Sequence, residues 1–397
     1  MFANQYISKN IVYPEFIDAE VSKQVALIVM IPCLNEPEII RTLESLWSCE
    51  PINSHIEVVV VVNESEASSS AVKQFNEINY HRLLDWKKKH DRSDLIVHPI
   101  YARSVAAKHA GAGMARKIGM DEVVRRFNRL NRPDGIIVSL DADCLVSPNY
   151  FQEIDKAFRN KSCFAATLNF KHRMDELEDW KQKEGMRLYE NYLHYYKRAL
   201  DFSGFPNSIY TIGSAFAVRA EAYVKQGGMN RRQAGEDFYF LNKLTNLGKL
   251  TEIDNAFVYP SARVSDRVPF GTGAAMTKWM CDTDDLALTY NFSAFLDLKM
   301  LFDRVDRLFQ NTDADEFIKD LPLSLQDYLP QISFQEKIKE IRRNSSSPSS
   351  FSKRFFQFFD GLVILRFLNL AHQKFYPQQN LWDALDQLNL YASVDLQ

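Results

Sequence analysis

The chain has 397 residues, 46% of them hydrophobic, and a formal net charge of −3 from 48 basic and 51 acidic side chains. That length and apolar content suffice for one large domain with a smaller appended element and exclude a disordered chain. The even mixing of charge excludes the basic stripe that nucleic-acid binding requires. The cysteines (Cys33, Cys49, Cys144, Cys163, Cys281) are far apart and never form a Cys-x-x-Cys pair, which argues against a disulfide framework or a zinc site and for a reducing cytoplasm. Residues 1–20 do not read as a signal peptide. The longest apolar run, Val25 to Cys33, is too short to span a bilayer.

In chain order, Val25–Ile31 reads as a strand buried on both faces, and Pro37-Glu38 opens a helix whose apolar positions Ile39, Ile40, Leu43, Leu46 and Trp47 recur at helical spacing up to Pro51. Ile56–Val62 is a second buried strand, so the opening unit is strand, helix, strand, the mark of an α/β sheet. A polar helix over 71–90 and a short strand over 94–99 follow. The segment 103–127, with Gly111, Gly113 and Gly119, reads as a loop entering a helix. Gly135–Leu140 is a third buried strand, running into Asp141-Ala142-Asp143. Further on, helices are expected over 149–159, 175–200 and 236–247, and strands over 163–169, 211–219 and 249–259. From about Leu286 the pattern is helical and rich in phenylalanine, with the serine-rich 344–350 read as a flexible linker. The expected division is a catalytic domain over 1–280 and a helical extension over 281–397. Because ligands of open α/β sheets bind at the carboxyl ends of the strands, the segments after the three buried strands (32–36, 63–65 and 141–143) should converge on one crevice.

Two acidic motifs carry chemistry. Asp141-x-Asp143 places two carboxylates one residue apart at a strand end, a spacing that suits a divalent cation, Mn2+ or Mg2+, shared with a diphosphate. A solvated turn is the alternative, and the position directly after Ile136–Leu140 favours the metal role. Gly235-Glu236-Asp237 opens a helix; acidic residues there complement the helix dipole in any case, and in the functional reading Asp237 is a general base toward an acceptor hydroxyl.

Taken together, Ile31-Pro32-Cys33-Leu34-Asn35-Glu36, the segment Gly111 to Gly119, Asp141-Ala142-Asp143 and Gly235-Glu236-Asp237 resemble, in order and separation, the family 2 glycosyltransferases of GT-A fold. The resemblance covers about Val25 to Tyr259. It implies a Rossmann-like, mostly parallel sheet flanked by helices, a nucleotide-sugar donor, and a soluble enzyme. It also implies that Pro32 and Glu36 line the base pocket, that Arg116 lies near the donor, that Asp143 is the direct metal ligand, and that Asp237 is the base of an inverting reaction. Asn35, Asn63 and Asp141 join the donor-binding set and Asp141 the metal set, with Glu236 beside the base. Where many members carry an acidic residue after the second strand, this chain has Asn63-Glu64-Ser65. The family's Gln-x-x-Arg-Trp motif is missing, Lys278-Trp279 being a faint echo, so a single addition is expected rather than processive polymerisation.

Other candidates stand outside the four motifs. Arg263 and Arg267 flank a glycine-containing loop over 269–273 and suit a phosphate clamp, against the alternative of solvated surface arginines. Lys108 and Arg103 flank the glycine-containing segment, with Lys108 kept as a donor contact. His172 and His194 are histidines of the sort that are more often structural than metal-ligating. The aromatic helix with Trp180, Tyr189, Tyr192, Tyr195 and Tyr196 reads as core packing before acceptor stacking. The stripe Phe355, Phe356, Phe359, Val363, Phe367 and Leu370 reads as a helix packed on the catalytic domain, with a dimer contact or a peripheral membrane contact as alternatives. Competing functions on the same residues are a retaining glycosyltransferase, a nucleotidyltransferase and a non-catalytic nucleotide-sugar binder. The acceptor, whether glycan, lipid or small molecule, is not specified by any motif.

Overall fold

The computed structural model describes residues 1–90, 92–232, 235–264, 271–310 and 314–394. The chain divides into two compact units, one of residues 1–178 with 211–274 and one of residues 179–210 with 275–397. The first holds, in chain order, α1 (Asn4–Asn10), β1 (Val25–Cys33), α2 (Ile39–Trp47), β2 (His55–Ser65), α3 (Ser70–Lys89), β3 (Leu95–Val105), α4 (Ala112–Arg129), β4 (Ile136–Ser139), β5 (Leu145–Val146), α5 (Tyr150–Arg159) and β6 (Ala165–Phe170). After α6 (Trp180–Phe202), which belongs to the second unit, it continues with β7 (Phe216–Arg219), α7 (Ala220–Lys225), α8 (Glu236–Leu244) and β8 (Thr251–Tyr259).

The eight strands form one sheet in the order β3-β2-β1-β4-β7-β6-β8-β5. β3, β2, β1 and β4 run parallel, as do β6 and β8, while β7 is antiparallel to both its neighbours and β5 pairs antiparallel with β8. The parallel half is what the unbroken runs Leu27–Ile31 and Val58–Val62 require, since every one of those side chains is buried and neither sheet face tolerates water. On one face, Leu27, Val29 and Ile31 pack with Leu43 and Leu46 of α2 and Leu83 and Trp86 of α3. On the other lies α4, which approaches so closely at Gly119 that a Cβ there would strike the Met30 and Val61 side chains.

α4 is buried nearly all round, yet it carries Arg116, Lys117, Asp121, Glu122 and Arg126. Each charge therefore needs a partner. Arg126 donates from Nε and Nη2 to the two oxygens of Glu57 on β2, and His98 of β3 lies 3.7 Å from the same carboxylate.

Several sequence expectations need correcting. Only the last four residues of 211–219 are strand; Thr211–Ala215 is irregular, for a reason that appears at the site. The short β5, α1 and α7 carry too few residues to show a period and were not anticipated. The third strand runs past Pro99 to Val105. In the serine-rich stretch, residues 344–347 connect two helices, and Ser347 and Ser350 form a reciprocal capping box that starts the second at Pro348. The long aromatic helix, α6, groups with the C-terminal helices.

α9 (Thr272–Met280) spans the division at Ala274, and the second unit holds α6, then β9 (Leu288–Thr289), α10 (Phe292–Phe302), α11 (Val305–Phe309), α12 (Ala314–Lys319), α13 (Leu323–Gln331), α14 (Phe334–Arg343), α15 (Pro348–Phe358), α16 (Gly361–Lys374), β10 (Gln379–Asn380) and α17 (Leu381–Val394). The phenylalanine stripe is two helices, because Asp360 interrupts it and caps α16 with 3.0 Å hydrogen bonds from Leu362 and Val363 amides. Phe355, Phe359 and Phe367 are fully buried in this unit's own core, so the stripe is not a free docking face. Tyr195 is likewise buried, its hydroxyl donating to the Tyr290 carbonyl at 3.0 Å, while Trp180 is exposed. Among the described residues no helix is long and apolar enough to cross a membrane.

Removing one partner of the fully buried Arg126–Glu57 pair strands a charge, so Arg126→Leu should cost about 3–5 kcal/mol, read by chemical denaturation. Burial pushes His98 below its ordinary value, with Glu57 opposing. The unfolded chain then binds more protons than the folded one as pH falls below about 6.5, and stability drops on that side. Melting temperature measured from pH 7.5 to 5 should decline, and His98→Gln should flatten the decline.

Candidate active site

Parallel pairing brings the carboxyl ends of β1, β2 and β4 to one edge, with Cys33 opposite Val62 and Met30 opposite Ser139. Beyond the last rungs the ladder no longer supplies backbone partners, and side chains take over. Asn35 stands in the left-handed region (φ 48°), where asparagine is among the residues best tolerated. Its amide donates to Asn76 Oδ1 at 2.8 Å, and the Asn76 amide group donates to the Asn63 carbonyl at 3.1 Å. One turn on, Asn79 donates to the Glu36 carbonyl at 2.7 Å. Two fully buried asparagines of α3 thus hold the β1 and β2 loops together. Asn63 is itself buried, and its side-chain oxygen has no hydrogen-bond partner among the described residues.

The Asp141–Asp143 turn is pinned from two sides. Thr42 of α2 donates to the Ala142 carbonyl at 2.8 Å, and Arg173, after β6, donates to the Asp143 carbonyl at 2.9 Å while also pairing with Glu38 and Glu176. The carboxylates are engaged by two other arginines. Arg116 pairs with Asp141 and Glu236; Arg263 pairs with Glu36 and lies 3.4 Å from Asp143 Oδ2. Five segments distant in sequence meet here. Among the described residues, the carboxylates Glu36, Glu38, Asp141, Asp143, Glu236 and Asp237 outnumber the guanidiniums of Arg116, Arg173 and Arg263.

Arg116 is buried, which works against its charge, but Asp141, Glu236 and Asp237 outweigh that and hold its pKa above the ordinary value. Burial pushes Glu236 and Asp237 up, with Arg116 opposing and the neighbouring carboxylates reinforcing the rise. A carboxylate raised in this way is a stronger base than a free one. Of the two, Glu236 is committed to Arg116, whereas Asp237 is half-buried and, among the described residues, takes its neighbour Phe238's amide, at 2.7 Å.

Two glycines make this packing possible. A Cβ on Gly113 would strike the Arg232 carbonyl oxygen and crowd Glu236, so α4 meets the start of α8 only with glycine there. A Cβ on Gly213 would stand 2.5 Å from Arg116 Nη2 and 2.8 Å from Asp237 Oδ2. The residues around Gly213 leave the strand geometry expected of them as they press against this charged pair.

Other candidates fall outside the cluster. Lys108 is exposed on the short turn Ala107–His109. Arg103 pairs with Glu77 at 2.9 Å and lies over the Tyr101 ring. His172 is buried, 3.3 Å from the Thr272 hydroxyl, and His194 contacts the Tyr210 hydroxyl at 2.7 Å in the second unit. Arg267, with residues 265–270, lies outside the described residues. Asn76, Asn79, Thr42, Glu38, Arg173 and Gly213 escaped the sequence reading, the asparagines because α3 shows no clear apolar face to mark what is buried. Gly213→Ala must prise Arg116 from Asp237, and by denaturant titration should cost about 1–3 kcal/mol.

The sequence matches the family model described as Glycosyl transferase family 2 over residues 28–227, just over half of the chain. Comparison with curated proteins gives no significant match. Among solved structures, S. aureus TarS 1-349 in complex with UDP-GlcNAc is 12% identical with TM-score 0.41, covering 84% of this chain and 91% of that one. The mannosyltransferase PcManGT from Pyrobaculum calidifontis, in complex with GDP-Man and Mn2+, is 14% identical with TM-score 0.40, covering 100% of this chain and 86% of that one. The family match takes in the three strand-end loops, Arg116, Asp141–Asp143, Arg173 and Gly213, and the chain belongs to glycosyltransferase family 2, the nucleotide-sugar-dependent glycosyltransferases of GT-A fold.

Proposed function

We propose that the enzyme moves one sugar, with inversion at the anomeric carbon, from a nucleoside diphosphate sugar to an acceptor hydroxyl on a glycan, lipid or small molecule. The observation that carries this reading is Arg116, which joins the Asp141–Asp143 turn to the Glu236–Asp237 pair and so places a raised carboxylate beside the turn suited to a diphosphate. Asp237 takes the acceptor's proton as the acceptor oxygen bonds to the anomeric carbon. The bond from that carbon to the diphosphate breaks, and its electron pair leaves with the nucleotide. Glu236 keeps Arg116 in place, and Asn35, Glu36 and Asn63 with Pro32 line the nucleotide side.

The donor set fits a divalent cation, Mn2+ or Mg2+, held by Asp143 with Asp141. Oxygen ligands suit such an ion, and among the described residues carboxylates exceed guanidiniums around it. The described residues include no group of three His, Cys, Asp or Glu suited to a metal, so diphosphate oxygens and water would complete the shell. When bound, the ion neutralises the departing diphosphate. Arg263, adjacent to Asp143, is positioned to take the diphosphate's remaining charge. Single addition is supported by Trp279, whose indole N–H is spent on the Lys181 carbonyl at 2.7 Å and whose ring packs on Gly185. Five cysteines, none of them in a disulfide, support a reducing, cytoplasmic setting.

Thermal stabilisation by a panel of nucleoside diphosphates, each with and without Mn2+ or Mg2+, tests the donor site. One nucleotide at 100 times its dissociation constant should add about 2.7 kcal/mol. Asp143→Ala should abolish the metal-dependent part, and an unchanged response in that variant would sink the metal assignment. Asp237→Asn should keep the shift yet slow transfer about 10²–10⁴-fold. Product NMR should show the anomeric configuration opposite to the donor's; the same configuration would make the enzyme retaining.

A further inference from the structure

The segment before β1 lies along α4 and satisfies its buried charges. The Ala3 amide donates to Asn128 at 2.9 Å, the Ile17 and Phe16 amides donate to Glu122 at 3.2 and 3.4 Å, Arg125 donates to the Pro14 carbonyl at 2.7 Å, and Arg126 donates to the Ala19 carbonyl at 3.0 Å. Toward the active-site end of α4 the contact becomes a closed cluster. Tyr6 and Tyr223 hydroxyls donate to one oxygen of Asp121 at 2.6 and 3.0 Å, Lys117 donates to the other at 2.8 Å, and Lys117 also donates to the Tyr6 oxygen at 3.3 Å. Tyr6, Lys117, Asp121 and Tyr223 are all at most 5% exposed, and no step of the proposed transfer uses them.

The cluster has two connections to the site. Lys117 follows Arg116 on α4. On the opposite side, the Tyr6 hydroxyl lies flush against Gly228, which stands in the left-handed region (φ 73°) and has no room for a Cβ. Gly228 opens the segment leading to α8, in which Asn230 donates to the Glu236 carbonyl at 3.1 Å and the Arg232 carbonyl abuts Gly113. One hydroxyl therefore touches both the helix that carries Arg116 and the segment that leads to Glu236 and Asp237. Packed interiors transmit such contacts because they do not deform freely.

We propose that Tyr6 is a positioning residue: its hydroxyl, bonded to Asp121 and pressed on Gly228, fixes α4 against the segment before α8 so that Arg116 stays between Asp141 and the Glu236–Asp237 pair. Loosening that hold moves Arg116 away from Asp237. The charged groups facing Asp237 are Arg116 from α4, Asp141 from the turn after β4, and Glu236 on its own helix. Of these charged groups Arg116 is the one that lowers Asp237, the Phe238 and Asp237 amides acting in the same direction, so its retreat lets Asp237 bind a proton at higher pH.

The test is Tyr6→Phe in the full chain, read in two ways. Hydrogen–deuterium exchange needs no substrate: amides over 228–232 should exchange at least about tenfold faster than in the wild type, while those of β1, β2 and β4 keep their rates. For turnover, hydrolysis of the nucleotide sugar selected by the diphosphate panel, with water as acceptor, should keep its donor KM, and its acid limb should move up by about one pH unit, a tenfold change in proton affinity. Glu122→Gln, which weakens the Phe16 and Ile17 anchor and the Arg125 pair without touching Tyr6, should lower the melting temperature and leave the limb in place. Faster exchange confined to 228–232 together with the moved limb supports the role. A wild-type limb with wild-type exchange overturns it, as does a uniform rise in exchange across the strands, which would mark Tyr6 as a stability residue alone. The inference rests on Asp237 as the base. If Asp237→Asn hydrolyses the donor with an unchanged limb, that assignment fails, and the exchange pattern still decides the role of Tyr6.

Discussion

A guanidinium shut away from water persists only where negative charge surrounds it, and Arg116 obtains that charge from segments far apart in the chain. Asp141 ends one strand, Glu236 and Asp237 begin a helix about a hundred residues later, and only the folded sheet brings them together. The dependence runs in both directions. Without Arg116 three neighbouring carboxylates would repel each other in a poorly solvated cleft, and without them the arginine would be an uncompensated buried charge. Much of the surrounding architecture, including Gly113, Gly213 and the all-round burial of α4, is what allows this one group to reach its partners.

The site is accordingly an assembly of strand ends held by side chains that do not react. Thr42 and Arg173 fix the carbonyls of the Asp141–Asp143 turn, and the two asparagines of α3 fix the β1 and β2 loops. These bonds replace the ladder contacts that stop at the sheet edge, and they let the half-buried carboxylates of the turn keep a set geometry on irregular backbone. Preorganisation of this kind spares the reaction the cost of orienting the groups when the donor arrives.

Much of this was legible in the sequence where a physical period or an unusual juxtaposition marked it. Valine-rich runs buried on both faces gave the parallel half of the sheet, and carboxylates directly after such a run gave the turn. What was not legible lacks a local signature. Asn76 and Asn79 lie in a helix whose burial does not follow its polarity. Arg173 belongs to a charged stretch, Lys171 to Glu178, that reads as solvated until the fold turns one member inward. Gly213 was hidden by apolar neighbours that mimic a strand. In the helical unit the phenylalanines showed helices but not the break at Asp360, because one aspartate in an apolar stripe looks like a polar-face residue until it caps.

The shared anchor in α3 bears on how nucleotide preference can change in this scaffold. Because Asn76 holds the Asn35 amide with its oxygen and the Asn63 carbonyl with its nitrogen, the two loops proposed to flank the nucleotide cannot drift independently. A substitution in either loop that needs a different backbone path must first release this crosslink. Libraries aimed at altered donor choice are therefore better built with positions 76 and 79 randomised alongside the loops than with the loops alone, since most loop changes would otherwise be tested on a backbone unable to accommodate them.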